Sequence, residues 1–141
     1  MEPHRRRRAG EAHGDPRRAH AARYRELLAG GPVALPVEAP DRRHVYHVFT
    51  IRHPERDRLA AELAAHGVAT GIHYPVPVHL QPAYADLGYR RGDFPVAERA
   101  AAEVLSLPMY PELRPDQVEA IAELVTSLAS GQPALGGVGP T

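Results

Sequence analysis

Apolar positions recur along the chain with two different periods, and each period names an element. In residues 17–29, Tyr24, Leu27 and Leu28 share one side at helical spacing, which predicts a helix with a short apolar stripe. His20 occupies the same side one turn earlier, and Gly30-Gly31-Pro32 ends the helix. A proline-rich connector then runs through Pro36 and Pro40 to Asp41. Residues 44–52 are rich in Val, Tyr, Phe, Thr and Ile and predict a strand. Alternation puts Val45, His47, Phe49 and Ile51 on one face and His44, Tyr46, Val48 and Thr50 on the other. Both faces are largely apolar, so this strand is expected to be central, with cover on both sides.

His53-Pro54 opens a second helix, near 54–66, with Glu55 and Asp57 in the first turn, Leu59 and Leu63 facing inward and Gly67 as the stop. Residues 68–74 predict a second short strand. Pro75, Pro77 and Pro82 then impose a stiff loop that leaves room for only a short helix at 79–87. A turn at 88–93 precedes a helix at 94–104, in which Val96, Ala100 and Val104 fall at four-residue spacing. Residues 105–109 predict a third strand. The last helix, near 115–128, carries the cleanest stripe, Val118, Ile121, Ala122, Val125 and Leu128, with Glu119 and Glu123 opposite. The expected fold is α/β: a small mixed sheet of about three strands under packing helices.

These elements divide the chain into a polar leader at 1–16, a linker helix and connector at 17–43, a domain at 44–130 and a Gly- and Pro-rich tail at 131–141. The leader and tail are expected to be disordered. A run of arginines, Arg5 to Arg8, could suggest a nucleic-acid patch, but it has no interleaved aromatics and reads better as solvated leader. The formal net charge is zero, so no nucleic-acid or anionic-membrane partner is expected. No apolar run approaches the roughly 20 residues of a membrane span, no secretory pattern follows Met1, and the expected location is the cytoplasm.

Composition removes several chemistries. There is no cysteine, so disulfides, thiolate nucleophiles and zinc–thiolate sites are excluded. All 17 basic residues are arginine. Arginine stays protonated, so no side chain here can supply a nucleophilic amine. Without lysine there is no Gly-x-x-x-x-Gly-Lys phosphate loop, and no Gly-x-Ser-x-Gly elbow occurs either. Nine histidines invite a metal reading, but His44 and His47 would point to opposite faces of a strand, and His47 is expected in the core with a hydrogen-bond partner. No metal site is expected. Asp86 and Asp93 sit in turn-like segments and read as turn formers.

The densest chemistry lies in residues 71–84, Gly-Ile-His-Tyr-Pro-Val-Pro-Val-His-Leu-Gln-Pro-Ala-Tyr. His73, Tyr74, His79 and Tyr84 there place imidazoles and phenols on a stiff loop at a strand end, a place where α/β folds commonly bind ligands. These groups suit hydroxyl-rich ligands. A loop whose Tyr and His merely brace the domain's own core is the alternative, and composition does not separate the two.

Residues 44–125 resemble the C-terminal small domain of the DegT/DnrJ/StrS-type sugar aminotransferases. The resemblance rests on His44-Val45-Tyr46-His47-Val48-Phe49, Arg56-Asp57-Arg58-Leu59, Gly71-Ile72-His73-Tyr74-Pro75 and His79-Leu80-Gln81-Pro82-Ala83-Tyr84. It continues through Leu87-Gly88-Tyr89, Gly92-Asp93-Phe94-Pro95-Val96-Ala97-Glu98 and Leu105-Ser106-Leu107-Pro108-Met109-Tyr110-Pro111, in the same order and spacing.

The resemblance implies the small domain of a fold-type I enzyme that uses pyridoxal phosphate to move an amino group, usually from glutamate, onto a keto group of a nucleotide-linked sugar. It also implies that the lysine holding the cofactor, the acid at the pyridine nitrogen and the phosphate loop belong to a large N-terminal domain. Only 16 polar residues precede the helix at 17–29, so a truncated member, inactive alone and without covalently bound cofactor, is expected. A non-catalytic module that binds a nucleotide sugar, or complements a separate large domain or homodimer partner, is the alternative. No catalytic or cofactor-binding residue is assigned. His73, Tyr74, His79 and Tyr84 are expected to face the substrate opening once a large domain is present.

Overall fold

A computed structural model describes residues 9–131. The expectations for residues 1–8 and 132–141 lie outside the described residues. In chain order the elements are α1 (Ala9–Leu27), β1 (Phe49–Arg52), α2 (Arg56–Ala65), two 3₁₀ turns (Val78–Leu80 and Pro82–Leu87), α3 (Pro95–Glu103), β2 (Val104–Leu107) and α4 (Pro115–Ala129).

The fold is α/β, and its sheet is smaller than the hydrophobic pattern suggests. β1 and β2 pair antiparallel, with Phe49 opposite Leu107, Thr50 opposite Ser106 and Ile51 opposite Leu105. Single antiparallel bridges extend this ribbon on both edges, Ala34 to Arg52 and Gly71 to Ser106. The expected second strand at 68–74 is thus reduced to one bridge at Gly71, and every pairing is antiparallel rather than mixed. Prolines at 75 and 77 follow directly, remove ladder donors and turn the chain away.

The first expected strand is also shorter, beginning at Phe49 rather than at 44. The cause is local. The His44 imidazole Nδ1 accepts the Tyr46 backbone N–H at 2.8 Å, and Tyr46 takes φ +46°. A side chain competing for a backbone donor in this way favours a turn over a ladder. The pleat is interrupted, the alternation resets, and Tyr46 is buried while Val45 and His47 are exposed. The expectation of a core His47 is therefore corrected.

One face of the ribbon carries Phe49, Ile51, Leu105 and Leu107, all buried. Helices cover it. Ala21, Tyr24 and Leu28 of the α1 region and Val118, Ile121, Ala122, Val125 and Leu128 of α4 join Leu59 and Leu63 of α2 in one core. The Tyr24 ring stacks on Phe49 at 5.0 Å and its hydroxyl donates to Pro108 O, and burial pushes its phenol pKa up. α1 begins at Ala9, so Ala9–Pro16, read as leader from the sequence, are helical. In α3 the buried residue is Ala101, and Val96, at four-residue spacing from Ala100 and Val104, is exposed.

Arginine, in the absence of lysine, closes two helix ends with its forked donors. The buried Arg56 donates to the carbonyls of Ala101 and Val104 at the end of α3, and Arg58 donates to Leu128 O near the end of α4. These cations sit where the carbonyl ends of the helices are most negative.

Candidate functional site

The other face of the ribbon is polar. Strand alternation turns Thr50 and Ser106 away from the helices, and because they are direct cross-strand partners their hydroxyls meet at 2.9 Å. Gly71 exchanges both backbone hydrogen bonds with Ser106, at 3.0 and 2.7 Å. Two residues further on, His73 folds back over it and its Nδ1 reaches Ser106 Oγ at 3.0 Å. Glycine is required for this approach: a Cβ at position 71 would lie 2.7 Å from His73 Cε1. Tyr74 follows across a cis peptide, meets the His73 ring edge-on at 5.5 Å, and is 72% exposed.

The loop then builds a second feature. Val78, His79, Tyr84, Leu87, Tyr89, Phe94 and Ala97 line an open groove of about 420 Å³. His79 is the anchored member of this set. Its Nε2 donates to Glu98 Oε1 at 3.0 Å, and its ring packs on Phe94 at 4.8 Å. The same carboxylate oxygen accepts the Gly92 N–H at 2.7 Å, so Glu98 ties the first 3₁₀ turn and the 90–93 turn to α3. The Gly92 amide, and less strongly the His79 imidazole, hold the Glu98 carboxyl below its ordinary range. Tyr84 is half-exposed at the groove wall.

The four residues singled out from the sequence therefore form two pairs. His73 and Tyr74 sit together over the polar face of the ribbon. His79 and Tyr84 share the groove lining, which includes neither of the other two. Ser106 and Glu98, which hold the two histidines, and Thr50, which meets Ser106, are not singled out by the sequence pattern. The available signal was register: pairing of the two strands puts a serine and a threonine side by side on the face opposite Phe49 and Ile51.

The family model described as the DegT/DnrJ/EryC1/StrS aminotransferase family matches residues 11–126. A dTDP-3-amino-3,4,6-trideoxy-alpha-D-glucose transaminase of Streptomyces venezuelae is 47% identical over 114 residues, covering 80% of this chain and 30% of the relative. A protein of Geobacillus stearothermophilus named "pleiotropic regulatory protein" is 50% identical over 112 residues, covering 77% and 30%. Among solved structures, S. venezuelae DesV in complex with a ketimine intermediate superposes with TM-score 0.80 at 45% identity, over 84% of this chain and 32% of that one. The chain thus spans about a third of the length of the proteins it matches.

Pyridoxal phosphate, the cofactor of that family, needs an amine to hold its aldehyde. The sequence has no lysine, His73 Nδ1 is engaged by Ser106, and His79 Nε2 by Glu98. The residues present do not fit the cofactor's covalent anchor. Among the described residues no helix is long and apolar enough to cross a membrane.

Proposed function

The chain belongs to the DegT/DnrJ/EryC1/StrS aminotransferase family, and on that premise we propose that it is the small-domain part of an enzyme that moves an amino group onto the keto group of a nucleotide-linked sugar. The observation that carries this reading is the continuous match over residues 11–126, together with a 45%-identical relative caught with a reaction intermediate. The cofactor would supply the electron sink. The residues of this chain would supply substrate contacts and cover. His73 and Tyr74, on a proline-stiffened loop, offer donors and acceptors for sugar hydroxyls or phosphate oxygens, with His79 and Tyr84 in a secondary role. A stiff loop lowers the ordering cost of binding.

The amine that holds the cofactor must come from outside these 141 residues, since all their basic side chains are arginine. The large apolar side chains left exposed between positions 74 and 96, among them Tyr74, Val78, Leu87 and Tyr89, are the face such a large domain would cover. On this reading the chain by itself does not transaminate. The test is chemical: mix the chain with pyridoxal phosphate, reduce with borohydride and measure the intact mass. No adduct on an internal residue is expected; a stoichiometric internal adduct would overturn the proposal.

A further inference from the structure

We propose that Ser106, backed by Thr50, is a positioning residue that fixes the tautomer of His73, so that it presents its Nε2–H as a hydrogen-bond donor to a substrate oxygen. The inference deepens the reading of His73 as a substrate contact and rests on it. Three groups are in line. Thr50 Oγ1 and Ser106 Oγ are 2.9 Å apart, and Ser106 Oγ and His73 Nδ1 are 3.0 Å apart. Ser106 is buried, so its one hydrogen goes to one of these two neighbours.

Only two arrangements exist. In the first, Thr50 donates to Ser106, Ser106 donates to Nδ1, and the imidazole proton sits on Nε2. In the second, Nδ1–H donates to Ser106, Ser106 donates to Thr50, and Nε2 is a bare acceptor. Each arrangement makes two hydrogen bonds and leaves one hydrogen over. In the first it is the Nε2–H, on an exposed ring edge where water or a ligand accepts it; in the second it is the Thr50 hydroxyl hydrogen, on a half-buried side chain whose oxygen faces Ser106. Satisfied networks are favoured over partly satisfied ones. The first arrangement is therefore the ground state of the neutral side chain.

Backbone geometry supports it. Thr50 and Ser106 are held opposite each other by the β1–β2 register. Ser106 is tied on its other edge to Gly71, and Gly71 has no Cβ to displace the His73 ring. The ring is thus fixed at Nδ1, and Nε2 is the nitrogen left for a ligand. The exposed His73 side chain opens toward solvent beside Tyr74. A fixed Nε2–H selects acceptors, meaning a phosphate oxygen or a sugar hydroxyl oxygen, over groups that can only donate.

The experiment is long-range proton–nitrogen NMR of the imidazole side chains in the uniformly labelled full chain. It is run near pH 8.5, about two units above the ordinary imidazole value of about 6.5. A His73→Gln variant assigns the signal. The expected result is a single Nε2–H tautomer for His73, unchanged in Thr50→Val, because Ser106 still donates to Nδ1. In Ser106→Ala, Nδ1–H character should appear. An Nδ1–H tautomer in the unaltered chain would overturn the proposal, as would a switch of tautomer in Thr50→Val or a wild-type mixture insensitive to Ser106→Ala. The measurement needs no ligand and no folded Ser106 variant to give its main answer. Its failure is therefore distinct from failure of the substrate-contact reading. That reading falls instead if His73→Gln leaves KM for the nucleotide sugar unchanged in an assembled enzyme while the tautomer is as stated.

Discussion

The helix-covered face of the ribbon and the 71–97 segment treat apolar side chains in opposite ways. On the first, Phe49, Ile51, Leu59, Leu63, Leu105, Val118 and Val125 are almost wholly removed from water. On the second, Tyr74, Val78, Leu87 and Val96 remain more than half exposed. The first region has all its partners within the chain. The second is held in shape by polar ties, Ser106 to His73 and Glu98 to His79 and Gly92, while its apolar surface is left unmatched. A core stabilises itself by burial, whereas a surface built for another body must be ordered by something else. The proposed large domain would supply the missing cover.

The sharpest way to break this contrast is to truncate one aromatic ring on each side. Phe49→Ala is expected to cost about 3–5 kcal/mol, the range for a fully buried ring. Phe94→Ala, in the half-exposed groove, should cost about 1 kcal/mol or less. Urea denaturation of both variants measures the difference, and equal losses would remove the distinction.

Substrate affinity comes next. In an assembled enzyme, His73→Ala or Tyr74→Phe should weaken nucleotide-sugar binding roughly threefold to tenfold, about the value of one neutral hydrogen bond, at unchanged melting temperature. A drop in melting temperature with affinity intact would make the loop structural.

A subtler contrast is chemical. Gly71→Ala should change stability by no more than about 1 kcal/mol, because the atom in the way is the end of a side chain that can rotate. It should nevertheless break the His73–Ser106 contact, visible as a mixed tautomer by NMR.

The smallest effect is electrostatic. Arg18 above all, then the His44 amide and the Tyr46 hydroxyl, hold the Glu38 carboxyl down at about 2, against an ordinary 4.5. A depressed carboxyl contributes its stability fully above 4.5 and loses it as pH falls toward 2. The urea midpoint of the chain should fall across that window, and Glu38→Gln should lack that component. An identical pH profile in the variant would remove Glu38 from the account.

Much of the covered region was legible in the sequence. The α4 stripe was read residue for residue, and all five of its apolar positions are buried, because nothing local competes with a helical period. The strand at 44–52 was half right. Its period was sound from Phe49 on, but His44 seizing the Tyr46 amide is a side-chain event that periodicity does not encode. His53 behaves similarly: its Nδ1 accepts the Glu55 N–H, and α2 starts at Arg56, two residues beyond Pro54. Val96 misled for a different reason. Its spacing on α3 matches Ala100 and Val104, which are half-buried, yet Val96 itself, in the first turn, is exposed. The loop chemistry at His73, Tyr74, His79 and Tyr84 could be seen, but not its division into two pairs or its dependence on Ser106 and Glu98. Those contacts come from strand register and from a carboxylate 19 residues away from His79, neither of which a local pattern contains.

The central claim is that this chain serves as the small domain of an aminotransferase whose lysine lies elsewhere. A chimera tests it most directly. The matching third of the S. venezuelae transaminase would be replaced by residues 11–126 of this chain. Amino transfer from glutamate to the keto sugar substrate would then be followed, beside the chain alone. The account predicts transfer by the chimera and none by the chain alone. A folded, cofactor-loaded chimera without activity, or activity in the isolated chain, would contradict it.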